Sequence, residues 1–93
     1  MTINTYLEAS TANLMPSTIR HIEKDDIGVT VINSAYGAWV AVPSSEYLSS
    51  EFMQNEDLRE LLILAKAKGC SWLYIYRDAD LVEEATDYSQ YWD

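Results

Sequence analysis

A helix that leads directly into an alternating strand is the feature that most limits how this chain can fold. After Asn55, a favourable N-cap residue, leucine and alanine recur at helical spacing as far as Gly69, which predicts the helix C-terminus. Residues 71–76 then alternate, with Leu73 and Ile75 on one side and aromatic side chains on the other. We therefore expect a helix that packs on the apolar side of a strand whose other side is aromatic.

The rest of the chain predicts one more helix and three more strands. A proline near the first turn of the earlier helix fits there, because its missing N–H costs nothing at that position. Residues 44–54 are polar and predict a loop with one or two helical turns. The predicted strands cover 2–9, 27–32, 38–42 and 71–76, a turn covers 33–37, and the helices begin at Pro16 and Asn55.

This β-α-β-β-α-β order predicts an α+β fold with a four-stranded antiparallel sheet. Two helices cannot cover both faces of such a sheet, so we expect both on one face. The 93 residues, of which 48% are hydrophobic, predict a single domain over 1–93 whose residues 78–93 form an acidic C-terminal segment. The side chains expected to point at the helices are Ile3, Leu7, Val29, Val31, Val40, Leu73 and Ile75.

The opposite side of the predicted sheet is aromatic and raises the question of what covers it. An exposed face of that kind would form a large apolar patch. We expect the C-terminal segment, with Tyr88, Tyr91 and Trp92, to fold back over this face, and the alternative is that a partner covers it. The aromatic residues expected there are Tyr6, Trp39, Trp72, Tyr74 and Tyr76.

Negative charge dominates the sequence, with fifteen acids against six bases and a net charge of −9. Phosphate backbones and anionic lipids repel such a chain, whereas basic partners attract it. Residues 78–93 hold six acids and no base. Coiled at 1.5 Å per residue, these acids would recur every ~4 Å, close to the ~3.4 Å charge spacing of a DNA strand, but an extended segment would space them ~9 Å apart. The candidate partner-binding acids are Asp78, Asp80, Glu83, Glu84 and Asp87, supported by Glu56, Asp57 and Glu60 and by Glu46 and Glu51.

Residues suited to catalysis or metal binding are few. His21 and Cys70 are each the only residue of their kind, and no glycine-rich loop could cradle a phosphate. The stretch from Asp78 to Asp80 resembles the start of a calcium loop, but position twelve of that loop would be Ser89. An RNA-binding sheet would need basic side chains near its aromatic residues to hold the phosphates, and the strands offer only Arg77. We expect no enzyme activity, no cofactor, no metal and no direct nucleic-acid binding.

Residues 55–80 form a distinctive pattern: a helix that ends in Gly-Cys, a one-residue gap, a tryptophan, a short strand and an exit rich in aspartate. The residues of this pattern are Gly69, Cys70, Trp72, Asp78 and Asp80, followed by Asp87 and Tyr88, with Ser10, Thr11 and Pro16 near the N-terminus. Through these residues the chain resembles a family of small acidic domains of unknown function that are carried on plasmids, prophages and integrative elements.

Proteins of this size, charge and setting are similar to anti-CRISPR and anti-restriction proteins, several of which imitate DNA. The resemblance implies an anti-defence inhibitor, with a type I CRISPR surveillance complex as the expected target and the acids above as the contact surface. The alternative is a non-enzymatic module that docks on a protein through Trp39, Trp72, Tyr74 and Tyr76, with the charge serving solubility only. In either case we expect a monomer in the bacterial cytoplasm, because the single cysteine fits a reducing compartment and the N-terminus shows no signal peptide or membrane span.

Overall fold

The computed structural model describes residues 5–50 and 53–92, in which a four-stranded sheet is combined with three α-helices. The predicted α+β class is therefore confirmed, and so are the two main helices and the short helical turn between them. The strands are β1 (Tyr6–Ala9), β2 (Val31–Asn33), β3 (Gly37–Ala41) and β4 (Trp72–Tyr76). The helices are α1 (Pro16–Glu23), α2 (Ser45–Leu48) and α3 (Glu56–Ala67), with short 3-10 turns at Thr11–Asn13 and Ser89–Tyr91.

The sheet is mixed, so the prediction that it is antiparallel is wrong. Its strand order is β1-β4-β3-β2, in which β1 and β4 run parallel while the other neighbours run antiparallel. Alternation along a strand assigns its two faces but does not say which strand lies beside it or in which direction. The register pairs Tyr6 with Trp72 and Trp39 with Tyr74, which brings the aromatic residues of three strands together.

The ends of the elements depend on contacts that are distant in sequence. Pro16 occupies the first turn of α1, as predicted, but the N-cap residue Met15 has no capping side chain of its own. The carboxylate of Asp57, in the first turn of α3, accepts a hydrogen bond from the Met15 N–H at 2.7 Å. Asn55 is the N-cap residue of α3, as predicted, yet its amide donates to the hydroxyl of Thr18 instead of capping its own helix. The two helix starts are thereby linked to each other.

The core lies between the sheet and the helices. Val40, Leu73 and Ile75 are buried on the predicted inward side, Leu7, Val29 and Val31 are partly buried there, and Ile3 lies outside the described residues. The strand predicted over 27–32 is shorter than expected. β2 starts at Val31, and the Ala41 N–H at the end of β3 bonds to the Thr30 carbonyl just before it. The largest buried helix-side and loop residues are Leu14, Ile22, Met53, Leu58, Leu61 and Leu62.

The C-terminal segment packs against α3 and the turn after β1, so the prediction that it covers the aromatic side of the sheet is wrong. Asn13, which is fully buried, binds Val82 through both its carbonyl and its amide and also donates to the Thr86 carbonyl. Further along, the Tyr88 N–H donates to Ala12, and the Trp92 indole donates to the Leu14 carbonyl at 2.9 Å. The tail aromatics expected on the sheet are thus directed elsewhere by backbone partners in residues 12–14.

Candidate functional site

Five aromatic side chains form one connected cluster on the side of the sheet away from the helices. We call this cluster the aromatic face, and it consists of Tyr6, Trp39, Trp72, Tyr74 and Tyr76. Trp39 lies at its centre, with its ring centroid 4.4 Å from that of Tyr74, 5.0 Å from that of Tyr6 and 6.4 Å from that of Trp72. Tyr74 stacks on Tyr76 at 6.0 Å. These spacings are close to those of favourable ring pairs, so the rings pack against one another.

Alternation in β4 explains why its three aromatic side chains lie on the same side of the sheet. Leu73 and Ile75 point into the core and are almost fully buried, which directs Trp72, Tyr74 and Tyr76 to the other side. The face is still open to solvent in the described part of the chain, where Tyr6 is 51% exposed and the other four rings are half-buried. An open cluster of this kind is the usual mark of an interaction surface.

Charge on and around the aromatic face is negative. Among the described strand residues, Glu8 is the only one with a charged side chain, and it lies in register with Tyr74. Asp78 follows β4 and takes a hydrogen bond from the Tyr76 hydroxyl, and that bond together with the charge of Asp78 raises the pKa of Tyr76. The neighbouring residue Arg77 is basic, and its Nε lies 3.9 Å from a carboxylate oxygen of Asp78. The surface therefore suits neutral or cationic ligands.

A depression of about 360 Å³ lies at one corner of the aromatic face. It is lined by Ile32, Trp39 and Trp72. Ile32 pairs with Trp39 across β2 and β3 and is 53% exposed, although sequence reasoning did not assign it to this surface. Val29 and Val31 were expected to point inward, and neighbouring residues of a strand point to opposite sides. The sequence therefore already placed Ile32 on the side away from the helices.

Several of the candidate acids meet along α3, where the C-terminal segment packs. The carboxylate of Glu60 accepts hydrogen bonds from the N–H and the hydroxyl of Thr86, at 2.8 and 3.1 Å. Glu84 forms an ion pair with Lys68 at 2.7 Å, and Glu56 forms one with Arg59 at 2.9 Å. Glu60 and Glu84 therefore lie where the C-terminal segment packs on α3, and the ion pairs offset part of the charge of Glu84 and Glu56.

The remaining candidate acids are placed differently. Asp57 is only 5% exposed and serves the start of α1, so it offers no surface charge. The Ser89 N–H donates to Asp87, which holds the pKa of that carboxyl below its ordinary value. Asp78, Asp80 and Glu83 are exposed after β4, Glu46 is exposed on α2, and Glu51 lies outside the described residues.

The ion pair between Glu84 and Lys68 gives a testable pH dependence. The hydrogen bond from Lys68, and then its charge, lower the pKa of Glu84 below its ordinary 4.5. Because the unfolded chain binds this proton more readily, the contribution of the pair is present above the ordinary pKa and is lost as the pH falls through the folded-state value. We expect an NMR titration of the Glu84 carboxyl to have its midpoint below 4.5. The substitution Lys68→Met should raise that midpoint, and an unchanged midpoint would contradict the ion pair.

Groups suited to catalysis do not converge in the described part of the chain. His21 is exposed, with its Nδ1 2.8 Å from a carboxylate oxygen of Asp26. Cys70 is a free, partly buried thiol. Within residues 5–50 and 53–92, no three His, Cys, Asp or Glu side chains lie close enough together to hold a metal ion. No described helix is long and apolar enough to cross a membrane.

Comparison with known families matches residues 6–90 to the "Family of unknown function (DUF5983) C-terminal domain". The match covers nearly the whole chain, from β1 to the last 3-10 turn. The chain belongs to this family. No curated protein and no solved structure matches the chain. The description of DUF5983 names no substrate or partner.

Proposed function

We propose that this chain is a non-enzymatic protein-binding module that docks on a basic protein through its aromatic face. The observation that carries the proposal is the five-ring cluster around Trp39, which remains open while the C-terminal segment packs elsewhere. Aromatic side chains contribute large contact areas at low entropic cost, and they are enriched where protein interfaces gain most of their energy.

The charge of the chain supports a basic partner. The net charge is −9, and Glu8 and Asp78 add negative charge at the aromatic face itself. Opposite charge on a partner would speed association and exclude acidic competitors such as nucleic acids and other chains of this type. This mutual repulsion also favours a monomer before the partner binds.

A second candidate is an anti-defence inhibitor that imitates DNA with its acids, namely an anti-CRISPR acting on a type I surveillance complex in a bacterial host. The observation that favours it is that Glu56 and Glu60 lie on α3 and that the C-terminal segment contacts the same helix through Glu84 and Thr86. It ranks second because Glu60, Glu84 and Asp87 each have a partner within the chain and Asp57 is buried. Only this second candidate proposes that the chain is encoded on a mobile genetic element.

The two candidates are separated by capturing partners from a bacterial lysate with three tagged variants in parallel. Trp39→Ser with Trp72→Ser removes the centre and corner of the aromatic face, whereas Asp80→Lys with Glu83→Lys reverses exposed acids outside it. Tyr36→Ser is the matched control, because Tyr36 is a 76% exposed aromatic residue outside the cluster. We expect the tryptophan variant to lose at least ~90% of a partner that the control retains, since centrally placed tryptophans carry most of the energy of such interfaces.

Salt provides the second measurement. A contact through aromatic rings should weaken only moderately between about 50 and about 500 mM salt, because salt screens the attraction to a basic partner but not the apolar contact, whereas capture by an acidic surface alone should fall steeply. Capture that survives the tryptophan substitutions but disappears with acid reversal or high salt would overturn the docking proposal in favour of DNA imitation. Capture that neither variant changes would contradict both.

A further inference from the structure

The corner of the aromatic face has a geometry that suits one kind of side chain. The indole rings of Trp39 and Trp72 meet at 90°, with their centroids 6.4 Å apart. Ile32 completes the depression of about 360 Å³, so its lining consists of two indoles and one aliphatic side chain. A ligand group that enters this corner meets aromatic rings on two sides and a methyl-rich surface on the third.

A planar, weakly hydrated cation fits such a lining best. Cations are attracted to the faces of tryptophan rings more strongly than to those of the other aromatic residues. A lysine ammonium is strongly hydrated, and none of the three lining residues offers a carboxylate or carbonyl side chain to replace its water. An arginine guanidinium is weakly hydrated, stacks on rings through its flat face, and has a methylene stem that can pack on Ile32.

The surrounding charge agrees with a cationic ligand. The described strands hold no lysine and no arginine, and the one charged strand residue, Glu8, is negative. A nucleobase could stack on the same rings, but the phosphates of the nucleic acid would be repelled by a chain of net charge −9 whose described strands carry no lysine or arginine on this face. A second copy of the chain would bring the same negative charge to the contact.

We infer that the corner formed by Ile32, Trp39 and Trp72 is a binding site for an arginine side chain of a basic partner protein. This inference rests on the proposed function, because it names the group on the partner that the aromatic face receives. It assigns Trp39 and Trp72 to direct contact with the guanidinium and Ile32 to contact with its methylene stem.

The test uses the indole N–H signals of the ¹⁵N-labelled chain, one for each tryptophan, titrated with short glycine-spaced peptides. The peptides carry arginine, lysine or citrulline, the neutral analogue of arginine. We expect the arginine peptide to shift the Trp39 and Trp72 signals saturably, with affinity about tenfold higher than that of the citrulline peptide and clearly higher than that of the lysine peptide. Trp92, whose indole donates to the Leu14 carbonyl away from the face, is the internal control and should not move.

Ile32→Ser provides a variant that keeps both rings. Ile32 is 53% exposed on an edge strand, so the domain should fold and the arginine peptide should bind several-fold more weakly. Equal binding of arginine and citrulline peptides, equal shifts of all three indoles, or shifts with a single-stranded oligonucleotide but not with the arginine peptide would each overturn the inference. So would shifts that depend only on protein concentration, which would identify a second copy as the occupant.

Failure of this inference can be told apart from failure of the proposed function. If lysate capture requires Trp39 and Trp72 but no arginine peptide shifts their signals, the docking surface remains and its arginine specificity is wrong. If capture does not require these tryptophans, the proposed function itself is wrong, whatever the peptides do.

Discussion

Replacing Asn13 by alanine should destabilise the domain by about 3 kcal/mol, because it leaves several buried polar groups without partners. The Asn13 side chain is fully buried and makes three hydrogen bonds to the backbone of the C-terminal segment, two with Val82 and one with Thr86. Urea unfolding followed by circular dichroism measures the loss as a lower transition midpoint.

Asn33→Ala is the matched control, since the Asn33 amide makes one hydrogen bond, to the Ile22 carbonyl, from an exposed position. We expect it to cost at most about 1 kcal/mol. Hydrogen exchange supplies a local reading. The amide of Val82, which donates to Asn13 at 2.9 Å, should lose protection in Asn13→Ala while amides in α3 keep most of theirs. Equal effects of the two substitutions would contradict the role assigned to Asn13.

Replacing Gly37 by alanine should cost about 3 kcal/mol, near the upper end for overpacking. A methyl group on Gly37 would overlap the Ile75 carbonyl of the neighbouring strand and would lie 3.2 Å from the hydroxyl of Tyr74. The obstacle is backbone, so relief would require β3 and β4 to move apart where Gly37 pairs with Tyr76. Thermal unfolding of this variant should show a clearly lower midpoint, and the aromatic ring signals of Tyr74 and Tyr76 should shift in the folded state.

Gly69→Ala separates this effect from the general cost of replacing a glycine. Gly69 has φ of 77° after α3, and a methyl group there would meet no atom within 4 Å. The substitution should therefore cost only about 1 kcal/mol, through backbone strain alone. A Gly69→Ala variant that is less stable than Gly37→Ala would show that strand crowding at Gly37 is not the dominant constraint.

Local patterns in the sequence predicted most of the helices and strands, and long-range contacts account for what they missed. Alternation correctly placed Leu73 and Ile75 in the core and Trp72 on the open side, because it depends only on the two-residue period of a strand. The parallel pairing of β1 with β4 was missed, since no local period encodes which strands become neighbours.

The path of the C-terminal segment was missed for a related reason. Its aromatic residues suggested a cover for the aromatic face, but hydrogen bonds to distant residues fix its position. Val82 bonds to Asn13, which is 69 residues away in sequence, and Thr86 bonds to Glu60, which is 26 residues away. Acids counted as surface charge proved to have structural partners, as with Asp57 at the start of α1. A run of charges in sequence therefore gave a poor guide to the charged surface.

The parallel pair at the sheet edge has a consequence for how the chain is made. Tyr6 pairs with Trp72, so β1 has no neighbouring strand until β4 has left the ribosome. The hairpin of β2 and β3 can form early, but the sheet closes only when β4 inserts between β3 and β1. Such distant pairing slows folding relative to a helical domain of equal length, and nascent chains released before β4 is synthesised would expose an unpaired first strand to chaperones and proteases.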